Sequence, residues 1–504
     1  MPALRYFWAA YAFSQVALAG YIFYSHLWFP LNLEFMESTV LQHVLRLAAG
    51  QPIYVDPSPD FVALAYNPLY YVACLPFLSL FGPGLAAIRV PAILGTIAAA
   101  GMIGLLLHRL TRSKWWAAIG VGIFAAAYRV MDSYLDIGHR DSLLLLSILT
   151  GFWFLHRGGR FGPILGMLAL ATGFWFKQTG VYFLAMGICY ALWQYPWPRA
   201  VTAALAGLAL GPLLYIFAPD AWWGPRLHYF TFEVPSHWTD LRLDETTNLV
   251  RLLVWHYAAL LCAAGWLWVR GWTKKTGSLG ILRIAIPGAL ASGVAVMMTA
   301  GSSNNVYIPM GTLLIIGGVT GLSRLSRAGM PGRRLAYSLL TLAFAPLLYN
   351  PAQAMRPNAE ATYAEFVDLL GSLDGPVYAP GFGPFFPPPG HPNVRFTPLA
   401  HVVPMADLVR GRGRDEAANP LIPALLRSVA YPAAPTAYIL SHSTLEDEPA
   451  LAYLKSRYTL EKDFGTRFEP LATLPARHGH LYPRYLYRSI QSPGRDAMAK
   501  GNTK

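Results

Sequence analysis

Apolar residues run unbroken over long stretches of the first 350 positions, near 6–24, 85–107, 115–130, 141–155, 162–176, 180–194, 199–217, 250–269, 283–300, 306–322 and 335–349. Runs approaching 20 residues predict helices that span a bilayer, with the shorter ones extending into their flanks. Asn67–Phe81 (NPLYYVACLPFLSLF) is a twelfth apolar stretch. Pro68 and Pro76 disfavour an uninterrupted span there, so it is read as a juxtamembrane or re-entrant helix. From Pro351 the pattern changes to short alternating elements. A helix is predicted over Thr362–Gly371, strands over Gly375–Tyr378 and Ala437–Ser441, and a Pro-rich loop over Phe385–Pro398.

The predicted fold class is therefore an α-helical polytopic membrane protein of about eleven transmembrane helices with a small C-terminal α/β domain. Residues 1–350 form the membrane module, residues 25–84 its long first outer loop, and residues 351–504 the soluble domain. Composition agrees: 55% of the 504 residues are hydrophobic, 13% are charged, and mean hydropathy is +0.37. Cys74, Cys189 and Cys262 lie inside apolar runs and offer neither a disulfide framework nor metal-ligand spacing.

The net charge of +13 changes this picture only in showing which way the chain is threaded. The tail is nearly balanced, with 16 Lys/Arg against 14 Asp/Glu, whereas the first 350 residues hold 23 against 12. If Asn67–Phe81 does not cross, Arg5, His108–Lys114, Arg157, Arg160, Arg199, Arg270–Arg283 and Arg324–Arg334 fall inside, and all 12 acidic residues of the module fall outside. That segregation is the positive-inside pattern. It places the N-terminus in the cytoplasm and the C-terminal domain outside a plasma (inner) membrane crossed many times. It also accounts for the basic excess without nucleic acid as a partner.

The outer loops carry the polar chemistry. Loop one holds Glu34, Glu37, Asp56 and Asp60 among the aromatics Tyr54, Phe61, Tyr66, Tyr70 and Tyr71. On a helical continuation Glu34 and Glu37 share a face, and two close carboxylates repel, which suits one of them to base work. The short loop Met131–Asp141 packs three Asp, His139 and Arg140 between apolar helices, with Asp141 at a helix mouth. Lys177 interrupts an apolar hairpin, where a phosphate partner explains a lysine best. Loop Pro219–Asn248, with His237 and Trp238, has the aromatics of a membrane interface, and Gly301–Tyr307 is a polar turn between helices. Hydrolase, P-loop, Rossmann and zinc motifs are absent.

The order of these motifs resembles the GT-C superfamily of glycosyltransferases, which includes the protein O-mannosyltransferases and the bacterial aminoarabinose transferase of lipid A. Glu37 with Leu41, Leu45 and Gly50-Gln51-Pro52-Ile53-Tyr54 resembles the acidic first-loop motif and its downstream Gly-x-x-Tyr. Met36 stands where the family usually has Asp, and Glu34 is the nearby acid that can replace it. Tyr66-Asn67-Pro68-Leu69-Tyr70 resembles the His-Pro-Pro-Leu segment, and Arg89-Val90-Pro91 the arginine that opens the next span. Arg140-Asp141-Ser142-Leu143 and Trp175-Phe176-Lys177-Gln178-Thr179 resemble the second-loop and donor-phosphate elements.

The resemblance implies an inverting transfer of a sugar from a polyprenyl-phosphate donor to an acceptor outside the cytoplasm, the acceptor itself being unspecified. Glu37 or Glu34 is then the base; Lys177, Arg140 and Arg89 bind the donor phosphate. Asp141, His139, Tyr54, Tyr66 and Asn67 bind substrate, with no metal and no cofactor, and membrane lipids surround the helices. A transporter or lipid flippase is the rival class, opposed by the odd helix number and the lack of repeat halves; a catalytically inactive relative is the third reading, because Met36 breaks the acidic pair. The sidedness predicts that a cysteine placed in His108–Lys114 resists an impermeant thiol reagent in intact cells while one in Asp132–Gly138 labels. Reversed labelling would overturn the eleven-crossing arrangement.

Overall fold

The computed structural model describes residues 2–34, 36–56, 61–236, 243–273, 279–298, 303–347, 358–375, 377–378, 394–395, 437–446, 455–472 and 482–490. Asp60, His237, Trp238, Gly301, Ser302 and residues 385–393 and 396–398, singled out above, lie outside them. The chain forms two compact units. One comprises Met1–Trp28, Ala65–Gly82 and Ala86–Ala354; the other comprises Phe29–Leu64, Pro83–Leu85 and Met355–Lys504. Most of the first outer loop groups with the tail in this division.

Every expected apolar run carries helix. In the first unit these include α1 (Pro2–Leu27), α3 (Leu69–Phe81), α4 (Ala86–Thr111), α5 (Lys114–Ala126), α6 (Asp141–Arg157), α7 (Gly162–Phe176), α8 (Gly180–Gln194) and α9 (Trp197–Leu208). Helix α2 (Glu37–Ala48) belongs to the second unit. Helix α3 is a 13-residue segment with Pro76 inside it, the short element expected there. Among the described residues three helices are long and apolar enough to cross a membrane: Ala86–Thr111, Trp197–Ile216 and Asn304–Leu325. Helices α5, α7 and α8 have 13, 15 and 15 residues. At 1.5 Å per residue they reach only about 20–23 Å, short of a hydrocarbon layer of about 30 Å. The run at 250–269, expected as one span, is instead a pair, Glu245–His256 and Ala258–Trp272, bent by 82°.

Helix Ile308–Leu325 is the core of this unit, buried along nearly its whole length, as a helix apolar on every face must be. Helices α6 and α7 approach so closely that a Cβ on Gly151 would stand 2.9 Å from the Gly166 carbonyl oxygen. Small residues at such contacts let backbones meet. The α7–α8 turn depends on Gly180 in the same way, because a Cβ there would lie 2.5 Å from the Phe174 nitrogen.

The Met131–Asp141 segment departs from expectation. Its polar composition predicts an outer loop open to solvent, yet it is almost wholly buried. Tyr128 donates to one oxygen of Asp136 at 2.7 Å, and His26 Nδ1 meets the other at 2.7 Å. Thr96 donates to the Leu135 carbonyl. Asp132 and Ser133 take φ of 51° and 62°, left-handed conformations that surrounding contacts must hold in place. A cysteine in this loop thus reports burial as well as side; Asp220, which is exposed and expected outside, is the cleaner reporter.

The second unit carries a five-stranded mixed sheet of order β2-β1-β3-β5-β4, formed by β1 (Val377–Tyr378), β2 (Val394–Arg395), β3 (Tyr438–Ser441), β4 (Tyr458–Asp463) and β5 (Tyr485–Ser489). Strand β1 pairs in parallel with β2 and β3; β5 pairs antiparallel with β3 and β4. The expected helix is Ala359–Ser372, and its Phe366 packs against Phe468 at 5.7 Å. Strand β2 falls inside the stretch expected as a Pro-rich loop; pairing with β1, not local composition, makes it a strand. Because the α7–α8 turn holds Lys177, we expect Gly180→Val to lower the apparent melting temperature in detergent by the equivalent of about 1–3 kcal/mol of overpacking. An unchanged transition would show that the turn relaxes freely.

Candidate functional site

In the first unit three segments meet at one carboxylate. Asp141 opens α6, where its backbone begins a helix and its side chain turns back toward the preceding loop. Lys177 ends α7 in an extended conformation, φ −154° and ψ 139°, so the helix stops and the lysine leaves its axis. Its Nζ donates to Asp141 Oδ1 at 2.7 Å. His139 Nδ1 lies 2.5 Å from Asp141 Oδ2, and Asn305 Nδ2 donates to the same oxygen at 3.0 Å. The Lys177 side chain is 9% exposed and that of Asp141 2%, so this is a buried ion pair. Such a pair holds only when hydrogen bonds satisfy its remaining lone pairs, and Asn305 and His139 supply them.

His139 is neutral. Burial, then the adjacent Arg140, lowers its pKa to about 4. With Asp141 accepting at Nδ1–H, the remaining Nε2 carries a lone pair, and it is buried with no hydrogen-bond partner among the described residues. Arg140 is also buried, its guanidinium lying over the Tyr66 ring. Its Nε has no hydrogen-bond partner among the described residues. Tyr66 meets His139 edge-on at 5.8 Å, so the two unsatisfied groups flank one aromatic ring. Lys177 and Arg140 bring two positive charges to one carboxylate. Arg140 is not bonded to Asp141 but lies near enough to act on it through space, so among the described residues this buried place holds one positive charge in excess, which an anion would balance.

The surrounding turn is braced on several sides. Asn67 Nδ2 donates to the Phe174 carbonyl at 2.6 Å, three residues before Lys177. Gln178 Nε2 bridges the carbonyls of Ala65 and Thr231 at 2.9 and 2.8 Å. The Asn304 amide donates to Asp132 Oδ2 at 2.5 Å, and Asn248 Nδ2 donates to Asn304 Oδ1 at 2.8 Å. Arg89 reaches the end of α1. Fully buried, it donates from Nη1 to the His26 carbonyl at 2.8 Å, satisfying one of the orphan carbonyls at the end of α1.

Glu34, Glu37 and Tyr54 belong to the second unit, and all three are buried. The two glutamates do not share a helix face as expected. Helix α1 ends at Leu27, the chain bends through Pro30, and α2 begins only at Glu37, which leaves Glu34 in the turn before it. Glu34 Oε2 accepts from the Met36 amide at 2.9 Å and Glu37 Oε2 from the Leu33 amide at 2.7 Å. The loop is fastened by His43, which sequence reasoning missed. Its Nδ1 donates to the Thr39 carbonyl at 2.7 Å, and its Nε2 accepts from the Leu64 amide at 2.9 Å. Burial lowers the His43 pKa to about 3, so this brace is intact above the free-histidine value near 6.5 and weakens as pH falls toward 3. Asn305 lies in the 3₁₀ turn Asn304–Tyr307, and the polar composition of the Gly301–Tyr307 sequence is the signal for it. The His26–Asp136 contact bridges 110 positions and leaves no signal in the sequence.

Residues 68–223 match the family described as dolichyl-phosphate-mannose-protein mannosyltransferase. That range contains Arg89, His139, Arg140, Asp141 and Lys177, and stops short of Glu34 and Glu37. Among solved structures, the chain is similar to ArnT from Cupriavidus metallidurans in the apo state, with a TM-score of 0.53 at 12% identity over 95% of this chain and 97% of that one. It is also similar to the same protein bound to undecaprenyl phosphate, with a TM-score of 0.50 at 12% identity over 96% and 98%. No curated protein matches the chain. The GT-C resemblance drawn from the motifs is thus met by the family match over residues 68–223 and by a shared fold.

The buried pair predicts strong coupling. Asp141→Asn should strand Lys177 and lower stability by about 3–5 kcal/mol, seen as a lower melting temperature in detergent. Lys177→Met should be milder, because Asp141 retains His139 and Asn305. Adding Asp141→Asn to Lys177→Met should then do less than Asp141→Asn alone; strictly additive shifts would deny the coupling.

Proposed function

We propose that this chain is an integral membrane glycosyltransferase that moves a sugar from a polyprenyl-phosphate donor to an extracytoplasmic acceptor, inverting the sugar carbon. The observation that carries this reading is the buried group with one positive charge in excess. A polyprenyl-phosphate sugar is a phosphodiester with one negative charge, and it matches that excess. The ArnT structure holding undecaprenyl phosphate supports a lipid of that class.

In the transfer, the acceptor hydroxyl forms a bond to the sugar carbon as the bond from that carbon to the phosphate oxygen breaks. Negative charge grows on the departing lipid phosphate. Arg140 and Lys177 stabilise it through charge-assisted hydrogen bonds, Arg140 with the unsatisfied Nε–H. Arg89, which also holds the end of α1, adds a further cation to the donor phosphate site. Asp141 orients His139 and holds Lys177, and His139 Nε2 accepts a hydrogen bond from a substrate hydroxyl. Tyr66 and Asn67 shape the donor side. Glu37 or Glu34 takes the acceptor proton, with Tyr54 beside them in sequence.

The eleven crossings, the cytoplasmic N-terminus, the inner-membrane location and an extracytoplasmic domain from residue 351 belong to the same proposal; the charge segregation supports them. A transporter needs a midplane site between repeat halves, and the polar groups here come from the ends of helices.

Two measurements on the full chain test the reading. Arg140→Gln and Lys177→Met should each weaken binding of undecaprenyl phosphate in detergent by about tenfold or more, the weight of a charge-assisted hydrogen bond. Unchanged affinity in both would remove the donor site. Glu37→Gln should slow consumption of lipid-linked sugar in membranes, followed by mass spectrometry of lipid extracts, by about 10²–10⁴-fold, while lipid binding survives. Glu34→Gln should be milder, and full activity in the double variant would end the proposed mechanism.

A further inference from the structure

Toward the C-terminal end of α8, a groove of ≈ 440 Å³ lies between α8, the helix Ala258–Thr273 and the helix Leu282–Met297. Cys189, Trp193, Trp268, Trp272, Pro287 and Ala291 line it, with Arg283 at its edge. Its walls are apolar but for this one cation.

Arg283 is held in an unusual way. Its guanidinium carbon lies 4.9 Å from the Trp193 ring and 4.7 Å from the Trp272 ring. The two indoles meet edge-on at 5.5 Å, and Trp268 Nε1 donates to the Arg283 carbonyl at 3.0 Å. Rings attract the face of a guanidinium and leave its in-plane N–H groups to find acceptors. The Arg283 side chain has no hydrogen bond or ion pair among the described residues, and its Nε is buried. Two tryptophans hold the cation beside an apolar groove.

The sequence between the helices Ala258–Thr273 and Leu282–Met297 is basic as well. The stretch from Arg270 to Arg283 carries Lys274 and Lys275 as well and contains no acidic residue. The three helix ends that form the groove are those the charge distribution assigns to the cytoplasmic side. Trp193 and Trp272 are about half exposed, as interfacial aromatics facing lipid are. Basic recesses between membrane helices on that side favour anionic headgroups. We propose that this groove binds an anionic phospholipid, its phosphate on the in-plane N–H groups of Arg283 and one acyl chain along Trp268, Pro287 and Ala291. The site does not depend on the transfer reaction.

The test is native mass spectrometry of the full chain in detergent, titrated with phosphatidylglycerol and separately with phosphatidylcholine of the same acyl chains. The wild type should prefer phosphatidylglycerol by about five-fold, the weight of one basic residue near anionic lipid. Arg283→Gln should bring that ratio close to one, and Arg160→Gln, a cationic site outside the groove, should leave it unchanged. Should Arg283→Gln fail to fold, Ala291→Phe fills the groove and should weaken both lipids. A wild type without preference, a ratio retained in Arg283→Gln, or undiminished binding in Ala291→Phe would overturn the proposal. So would undecaprenyl phosphate displacing phosphatidylglycerol from Arg283, since the occupant would then be the carrier lipid.

Discussion

A lysine that interrupts an apolar hairpin can be kept out of water only where a carboxylate meets it, and Asp141 meets Lys177 at 2.7 Å. That bond imposes the rest of the local architecture. Asp141 must stand at the mouth of α6, so the loop before it has to fold inward. Its second oxygen must also be satisfied, which brings in His139 and the turn at Asn305. The turn that carries Lys177 must be tight, and Gly180 makes it so by leaving no Cβ against the Phe174 backbone.

The inward fold of the second loop shows how such a centre is held. Asp136 is fixed by His26 and Tyr128, and Leu135 by Thr96. Asp132 and Ser133 are forced to positive φ on the way. Two successive non-glycine residues in that region store strain of about 1–3 kcal/mol each. Strain of this kind persists where surrounding bonds over-determine the backbone, as at ligand clamps. The result is a rigid set of groups with an excess positive charge and an unsatisfied acceptor at His139 Nε2. Rigid, dry charge of this kind meets an anion without reorganisation.

Much of this is legible in the order of residues alone. The apolar runs mark helix positions to within a few residues, because lipid solvation demands one composition on every face. Lys177, Arg140, His139 and Asp141 stand out as ionisable residues in or beside apolar sequence, and their meeting requires only that such groups find partners. The face shared by Glu34 and Glu37 does not exist, because Pro30 and the bend after α1 delay the next helix to Glu37. The break at Tyr257 and the strand Val394–Arg395 are equally invisible to sequence reasoning, since neither depends on local composition.

The sequence by itself determined that this chain has the apolar helices of a membrane protein and where those helices lie, because burial in lipid acts on each residue according to its own chemistry. The tertiary structure decided which charges neutralise one another. Asp141 and Lys177 are 36 positions apart, Asp141 and Asn305 164, and His26 and Asp136 110. No local periodicity selects such pairs. Helix packing brings them within bonding distance, and their electrostatics then follow from low-dielectric surroundings that no single segment possesses.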